Sequence, residues 1–299
     1  MTLSLGEGST YLPPVLRSLS ATSQSIRRAV QSIGALQSRN FRLFIIGQFV
    51  SLCGTWMQNV ALAWLVLEIT GSTLQTGLVV TLGALPVLLF TLYGGVVADR
   101  VNKRRWLIGL QTLFLCEAVA LWLLSVTGTI TVSWIYLLAA LTGLVSAFEI
   151  PMRQAFLVEM VGKNHLMSGI ALNSTAFNLS RVVGPALAGA VSAAFGPAAC
   201  FLVNAVSFSA VLISLRRIDP RLGSADSGRR RAGFRAGVDH VLSLRLPRAL
   251  VGLATVFTLF GASLVAILPA FAAKDLGADV GGYGALKASF GIGAALGAL

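Results

Sequence analysis

The sequence predicts an all-α, polytopic membrane protein, and three observations lead to that fold class. Hydrophobic residues make up 56% of the chain and charged residues only 11%, whereas about 25% of a soluble domain is charged. The apolar residues come in runs of about 18 or more, long enough to cross the hydrocarbon core as helices. All but three of the 23 lysines and arginines lie on alternate connections between these runs, as the positive-inside rule requires for a cytoplasmic N-terminus. The net charge of +12 therefore indicates membrane orientation, and we expect no nucleic-acid partner.

Eight spans are predicted from these runs. The connections on the outer side are very short, at 70–72, 128–129 and 196–197, and contain the small or turn-forming residues Gly, Ser, Thr and Pro. The spans are 43–67, 73–98, 106–127, 131–150, 168–192, 197–215, 248–272 and 281–299.

The basic segment after the sixth span divides the chain. Nine arginines lie between 216 and 248, and a long polar connection of this kind is typical of a linker between two membrane domains. Residues 22–37 have apolar residues at helical spacing, as in a helix that lies on the membrane surface. We predict a cytoplasmic N-terminal segment at 1–42, a first six-helix half at 43–215, a cytoplasmic linker at 216–247 and an incomplete second half at 248–299. Because the last span ends at Leu299 without a polar flank, we expect the natural protein to be longer.

A short motif follows the second span. The segment from Gly95 to Arg105 reads GVVADRVNKRR and resembles the G-x-x-x-D-R-x-G-[RK]-[RK] signature of the major facilitator superfamily, although ordinary positive-inside charges would also fill such a loop. Asn102 replaces the usual glycine, and we expect it to preserve a turn with positive φ, which asparagine tolerates. The resemblance implies a gating role on the cytoplasmic side for Gly95, Asp99, Arg100, Lys103 and Arg104.

Two further segments support the resemblance. Gly184, Pro185 and Gly189 in the fifth span are similar to a motif of exporters in this superfamily, and the alternative is a packing face of small residues. The segment 151–167, PMRQAFLVEMVGKNHLM, resembles the enterobactin-exporter-like branch. The resemblance covers 40–299 and implies twelve helices in two halves, of which about eight are present. Ala139 stands where many proton-coupled members have an arginine, so proton antiport by the standard arrangement is in doubt.

Polar side chains inside the spans are the candidates for transport, because they are costly in lipid. The first span has a stripe of amides and hydroxyls at three- and four-residue spacing, and the fourth and fifth spans have similar stripes. The alternative role for each is hydrogen bonding between helices. The predicted substrate cavity comprises Gln48, Thr55, Gln58, Asn59, Ser146 and Asn178.

Three charged residues inside the spans are candidates for coupling or ion pairing. Arg181 needs either an acid partner or an anionic ligand, and we expect it to pair with Glu117 or Glu149. Glu117 near the middle of the third span is also a candidate for proton loading. Lys287 in the eighth span either reaches toward the membrane surface or lines the cavity.

These features predict a secondary transporter in the bacterial cytoplasmic membrane that exports siderophore-like or drug-like small molecules by alternating access. Its expected partners are lipid, the substrate and a coupling ion, with the proton as the first candidate. We expect no cofactor, no metal site and no enzymatic activity. The alternatives are an inactive or partner-dependent shortened chain and, with less support, an integral membrane enzyme.

Overall fold

The computed structural model describes residues 34–219, 243–246, 248–249, 252–253 and 266–296. Its elements are all helical, which confirms the predicted fold class. Short turns lie at Gly34–Gln37 and Lys163–His165, and a π-helical turn lies at Phe271–Asp275. The long helices are α1 (Arg39–Thr70), α2 (Thr73–Ala98), α3 (Lys103–Val126), α4 (Val132–Val161), α5 (Leu166–Phe195), α6 (Pro197–Arg217) and α7 (Val280–Leu296).

Helices α1 to α6 correspond to the first six predicted spans, and α7 corresponds to the eighth. Within the described residues, α1, α2, α3, α4 and α6 are long and apolar enough to cross a membrane. The total number of spans stays a prediction. Residues 1–33, most of the 216–247 linker and most of the seventh predicted span lie outside the described residues.

Short polar side chains begin several of these helices. Ser38, Ser72 and Thr131 each precede a helix and accept a hydrogen bond from the backbone N–H three residues later, as N-cap residues do. Asn102 does the same for α3, accepting from the Arg105 N–H at 3.0 Å. Its φ of −71° is extended, so the expectation of a positive φ was wrong. Asparagine stands here because its carbonyl oxygen caps a helix.

Helix α4 is longer than the predicted span. The prediction ended at residue 150, but α4 continues through Pro151 to Val161. The apolar run ends at residue 150, but the helix continues beyond it. This extension brings Glu159 to Lys103 at the start of α3. The extension therefore connects α4 to the loop that follows α2.

Contacts at the two ends of the bundle agree with the predicted alternation of the connections. At one end, Arg104 reaches the last turn of α6, and the Ala35 N–H donates to Ser168 at the start of α5. At the other end, the Lys274 ammonium donates to the Gly71 carbonyl at 2.9 Å. The basic connections thus share one end, and the first short connection lies at the other.

Two buried apolar clusters leave a polar layer between them. One cluster contains Phe41, Phe44, Leu107, Phe156 and Leu215 and lies at the basic end. The other contains residues from the opposite ends of the same helices and includes Tyr283 of α7. The polar side chains near the middle of α1, α3 and α6 lie between the clusters, and they form the site described next.

Candidate functional site

The larger cavity has a volume of about 410 Å³ and is lined by α1, α3, α4, α5 and α6. These helices meet here because α1 packs against α5 and α6, while α3 packs against α4 and α6. All six residues predicted for the substrate cavity line it, together with both predicted acids. The residues are Gln48, Thr55, Gln58, Asn59, Ser146, Asn178, Glu117 and Glu149.

A buried hydrogen-bond network holds Glu117 at the cavity wall. The Gln58 side-chain amide donates to both carboxylate oxygens of Glu117, at 3.1 and 2.9 Å. The Asn204 amide donates to the Gln58 carbonyl at 2.7 Å, and the Ser207 hydroxyl donates to Asn204 Oδ1 at 3.0 Å. The network joins α1, α3 and α6, and Gln58 is the residue in it that donates to the Glu117 carboxylate.

Glu149 is held by a second buried group of side chains. Arg153 lies one turn further along α4, and its Nε is 2.9 Å from Glu149 Oε1. The Gln111 amide of α3 donates to the same oxygen at 3.3 Å. The carboxylate is therefore neutralised within its own helix, and both partners also line the larger cavity.

Three polar atoms at this cavity are buried without a hydrogen-bond partner in the described part of the chain. They are Gln111 Oε1, Thr142 Oγ1 and Asn173 Oδ1. Leaving such an atom unpaired costs about 1–3 kcal/mol.

A smaller cavity of about 280 Å³ adjoins the larger one. The two cavities share Gln58, Asn59, Glu117 and Thr142 as lining residues. The far wall comes from α7, which contributes Tyr283 and Lys287. Of the two alternatives for Lys287, the structure shows it at the cavity wall.

Arg181 does not have the acid partner that the sequence led us to expect. Among the described residues, no ion pair joins it to Glu117 or Glu149. Its guanidinium instead lies over the Trp56 ring, 5.6 Å from the ring centre. The expectation was wrong because Arg153 forms an ion pair with Glu149 and the Gln58 amide donates hydrogen bonds to Glu117.

The residues of the gating motif have separate contacts. Lys103 is buried and pairs with Glu159 at 2.5 Å. Arg104 donates to the carbonyls of Leu215 and Arg216 at 2.7 and 2.9 Å, which satisfies the last turn of α6. Two of the cations therefore fasten the loop after α2 to α4 and α6.

Gly95, Asp99 and Arg100 show no such role within the described residues. A Cβ added at Gly95 would meet open space. The Asp99 backbone N–H donates to the Gly95 carbonyl at 3.2 Å and ends α2. The carboxylate that we expected to accept hydrogen bonds from arginines or a helix N-terminus is exposed and has no such contact there.

The fifth-span motif lies where α5 packs closely against two helices. A Cβ at Gly184 would lie 2.5 Å from the Trp56 Cβ of α1, and one at Gly189 would lie 3.1 Å from the Gly281 carbonyl oxygen of α7. A Cβ added at Gly284 of α7 would lie 2.6 Å from the Pro185 carbonyl oxygen. These contacts favour the packing alternative for the motif.

Sequence reasoning missed Gln111, Asn173 and Asn204. Each is an amide inside an apolar segment. A polar side chain is costly in lipid, so its presence there was the signal that could have identified these residues. Gln111 and Asn204 are single amides on spans without a polar stripe, and Asn173 lies next to the stripe of the fifth span. No cluster of three or more metal-ligating residues occurs in the described ranges.

The fold is shared with a solved transporter. A crystal structure of a peptide transporter, POT, matches 77% of this chain and 48% of its own chain, with a TM-score of 0.54 and 14% sequence identity. At that identity the likeness concerns the fold alone.

Curated relatives are also transporters. The staphyloferrin A transporter of Staphylococcus aureus is 32% identical over 176 residues, which are 58% of this chain and 44% of the relative. The enterobactin exporter EntS of Shigella boydii is 26% identical over 261 residues, or 87% and 62% of the two chains. The multidrug efflux pump Tap of Mycolicibacterium fortuitum is 28% identical over 184 residues, which are 59% of this chain and 45% of the pump. The chain spans between 38% and 62% of the length of these and similar relatives.

A family model described as "Transmembrane secretion effector" matches residues 30–299. The match extends over both cavities, the loop after α2 and the motif of α5. The chain is thus a multi-pass membrane protein that belongs to the transmembrane secretion effector family of the major facilitator superfamily, in its enterobactin-exporter-like branch.

Proposed function

We propose that the protein is a secondary active transporter that exports small molecules across the bacterial cytoplasmic membrane by alternating access. The observation that carries this proposal is the larger cavity, in which polar side chains from five helices meet between two apolar clusters. Its volume of about 410 Å³ lies within the range of small-molecule sites, about 300–1,000 Å³. Three of its lining residues, Gln111, Thr142 and Asn173, each have a buried polar atom without a partner in the described part of the chain.

The direction and substrate class rest on the relatives. Two of them are named for siderophores and one for multidrug efflux, so a siderophore-like or drug-like molecule is the proposed substrate. Amide-rich walls suit a ligand with several hydroxyl or amide groups, since amides both donate and accept hydrogen bonds.

Glu117 is the proposed site of proton coupling. Its carboxylate lines both cavities, and its hydrogen bonds from Gln58 connect it to α1 and α6. A proton that binds there would remove the acceptor charge that orders this network. Glu149 is the weaker candidate, because Arg153 already neutralises it.

The basic end of the bundle is proposed as the cytoplasmic end, with the N-terminus on that side. The positive-inside rule supports this orientation. Residues 43–215 then form one half, 216–247 the linker and 248–299 the beginning of the second half. The contacts of Lys103 and Arg104 would keep the cytoplasmic ends of α3, α4 and α6 together while the halves rock.

Transport into inverted membrane vesicles tests the proposal. Vesicles with the protein should accumulate a labelled catecholate when a proton gradient is imposed, and collapsing the gradient should abolish accumulation. Glu117→Gln should abolish gradient-driven accumulation, whereas the matched control Glu68→Gln, near the end of α1, should not. Equal accumulation in vesicles with and without the protein, for every compound tried, would overturn the proposal.

A further inference from the structure

Two cationic side chains, Arg181 of α5 and Lys287 of α7, lie near the contact between these helices, each beside an aromatic ring. The Lys287 ammonium lines the smaller cavity, 5.7 Å from the centre of the Tyr283 ring and 3.4 Å from its hydroxyl oxygen. The Arg181 guanidinium lies over the ring of Trp56, a residue that lines the same cavity. Close packing of Gly291 against the Arg181 carbonyl brings the two helices together.

The nearby acids do not neutralise this pair. In the described ranges no ion pair includes Arg181 or Lys287, Glu149 is paired with Arg153, and Glu117 accepts its hydrogen bonds from Gln58. The sequence from 248 to 272, which forms the predicted seventh span, contains no aspartate or glutamate.

Among the described residues, the charged groups that line the two cavities, together with Arg181 beside Trp56, sum to one positive charge. Glu149 and Arg153 cancel, Glu117 contributes one negative charge, and Lys287 and Arg181 contribute two positive charges. An unbalanced charge away from bulk water is unfavourable. A ligand that brings a single anionic group would remove the imbalance.

We propose that the smaller cavity binds the anionic group of the exported molecule, and that this group is an aromatic carboxylate. The Lys287 ammonium has three N–H donors and uses one on Tyr283, so two remain for the carboxylate, while Arg181 adds positive potential. Trp56 and Tyr283 supply aromatic walls for a ring. The rest of the molecule extends past Gln58 and Asn59 into the larger cavity. This inference rests on the proposed function for its substrate, but the binding step can be measured alone.

Equilibrium dialysis of the purified full chain in phosphatidylcholine nanodiscs tests the inference. The ligands are benzoate, its neutral analogue benzamide and the cation benzylammonium, and the neutral lipid contributes no net anion. Benzoate should bind at least about tenfold more tightly than benzamide, as expected for a charge-assisted hydrogen bond. Lys287→Gln should remove that preference, and Lys287→Arg should retain it.

Lys274→Gln is the matched control, because it removes an exposed lysine that donates to the Gly71 carbonyl at the end of the bundle opposite the basic connections. This variant should bind benzoate as the unsubstituted protein does. Gel filtration and the unfolding temperature show whether Lys287→Gln is folded, and if it is not, the benzoate-to-benzamide ratio of the unsubstituted protein and of Lys287→Arg decides. Equal binding of benzoate and benzamide, absence of benzoate binding, or stronger binding of benzylammonium would overturn the inference.

The two proposals fail separately. If benzoate is preferred in a way that depends on Lys287 but no uptake into vesicles occurs, the anion site stands and the proposed transport function is overturned. Uptake of the labelled catecholate without any benzoate preference would leave the transport function and remove the anion site.

Discussion

Breaking the ion pair inside α4 is the perturbation with the largest expected effect on stability. Arg153 and Glu149 are joined at 2.9 Å, and their side chains are only 9% and 8% exposed. Removing one partner of a buried pair costs about 3–5 kcal/mol, because the other charge stays behind without compensation. We expect Arg153→Met to lower the free energy of unfolding by that amount.

The double variant should be much more stable than the single one. In Arg153→Met combined with Glu149→Gln, no charge remains, and the new amide oxygen can still accept from Gln111, which donates to Glu149 at 3.3 Å. Replacing a buried pair by neutral groups is often close to neutral in stability, so we expect most of the loss to be recovered.

Reversible unfolding in mixed detergent micelles, with the free energy extrapolated to zero denaturing detergent, gives these values. Arg105→Met is the control: Arg105 is exposed at the start of α3, and its loss should change stability by no more than about 0.5 kcal/mol. A cost for Arg153→Met as small as the control would refute the reasoning. The cavity would then hydrate the pair well enough for either charge to stand alone.

Three further variants test the packing and the hydrogen bonds. Gly184→Ala should destabilise by about 1–3 kcal/mol, because its Cβ would lie 2.7 Å from the Cys53 carbonyl oxygen; Gly109→Ala, which meets open space, should be neutral or stabilising in the same unfolding assay. Arg104→Met should speed amide hydrogen exchange in the last turn of α6, since two carbonyls there lose their donor, and unchanged exchange would contradict the proposed fastening. Gln58→Leu should cost about 1–3 kcal/mol, because Glu117 loses both hydrogen bonds, whereas Asn59→Leu, at an exposed site, should cost less.

The helices could be predicted well because two independent signals coincide in the sequence. Long apolar runs gave the segments, and Ser72 and Thr131 begin the helices that follow them. The error at α4 arose because an apolar run measures only the part of a helix that faces lipid. Residues beyond Pro151 are polar enough to lie outside such a run, yet they continue the same helix to Val161.

The cavity could be predicted in part because helical spacing determines which side chains share a face. Gln48, Thr55 and Asn59 are one or two turns apart on α1, and all three line the larger cavity. Periodicity on one helix does not say which face of a second helix lies opposite. The donation from Asn204 to Gln58 depends on how α6 rotates against α1, and that rotation is set by tertiary packing, with Ser207 and Asn204 fitting against Gly54.

The partner of Glu149 was a local question that the sequence could have answered. Glu149 and Arg153 are four residues apart on a helix, the spacing at which an acid followed by a base pairs best. With Glu149 assigned to Arg153, Glu117 is the remaining acid that could pair with Arg181. These two residues lie on different helices, and residue spacing in the sequence does not predict contacts between helices. The structure places Gln58 against Glu117, so neither Arg181 beside Trp56 nor Lys287 in the cavity wall has its charge paired with a carboxylate of the described residues. That remaining charge is why the binding of an anion, and not the strength of an internal ion pair, is the property to measure at the contact between α5 and α7.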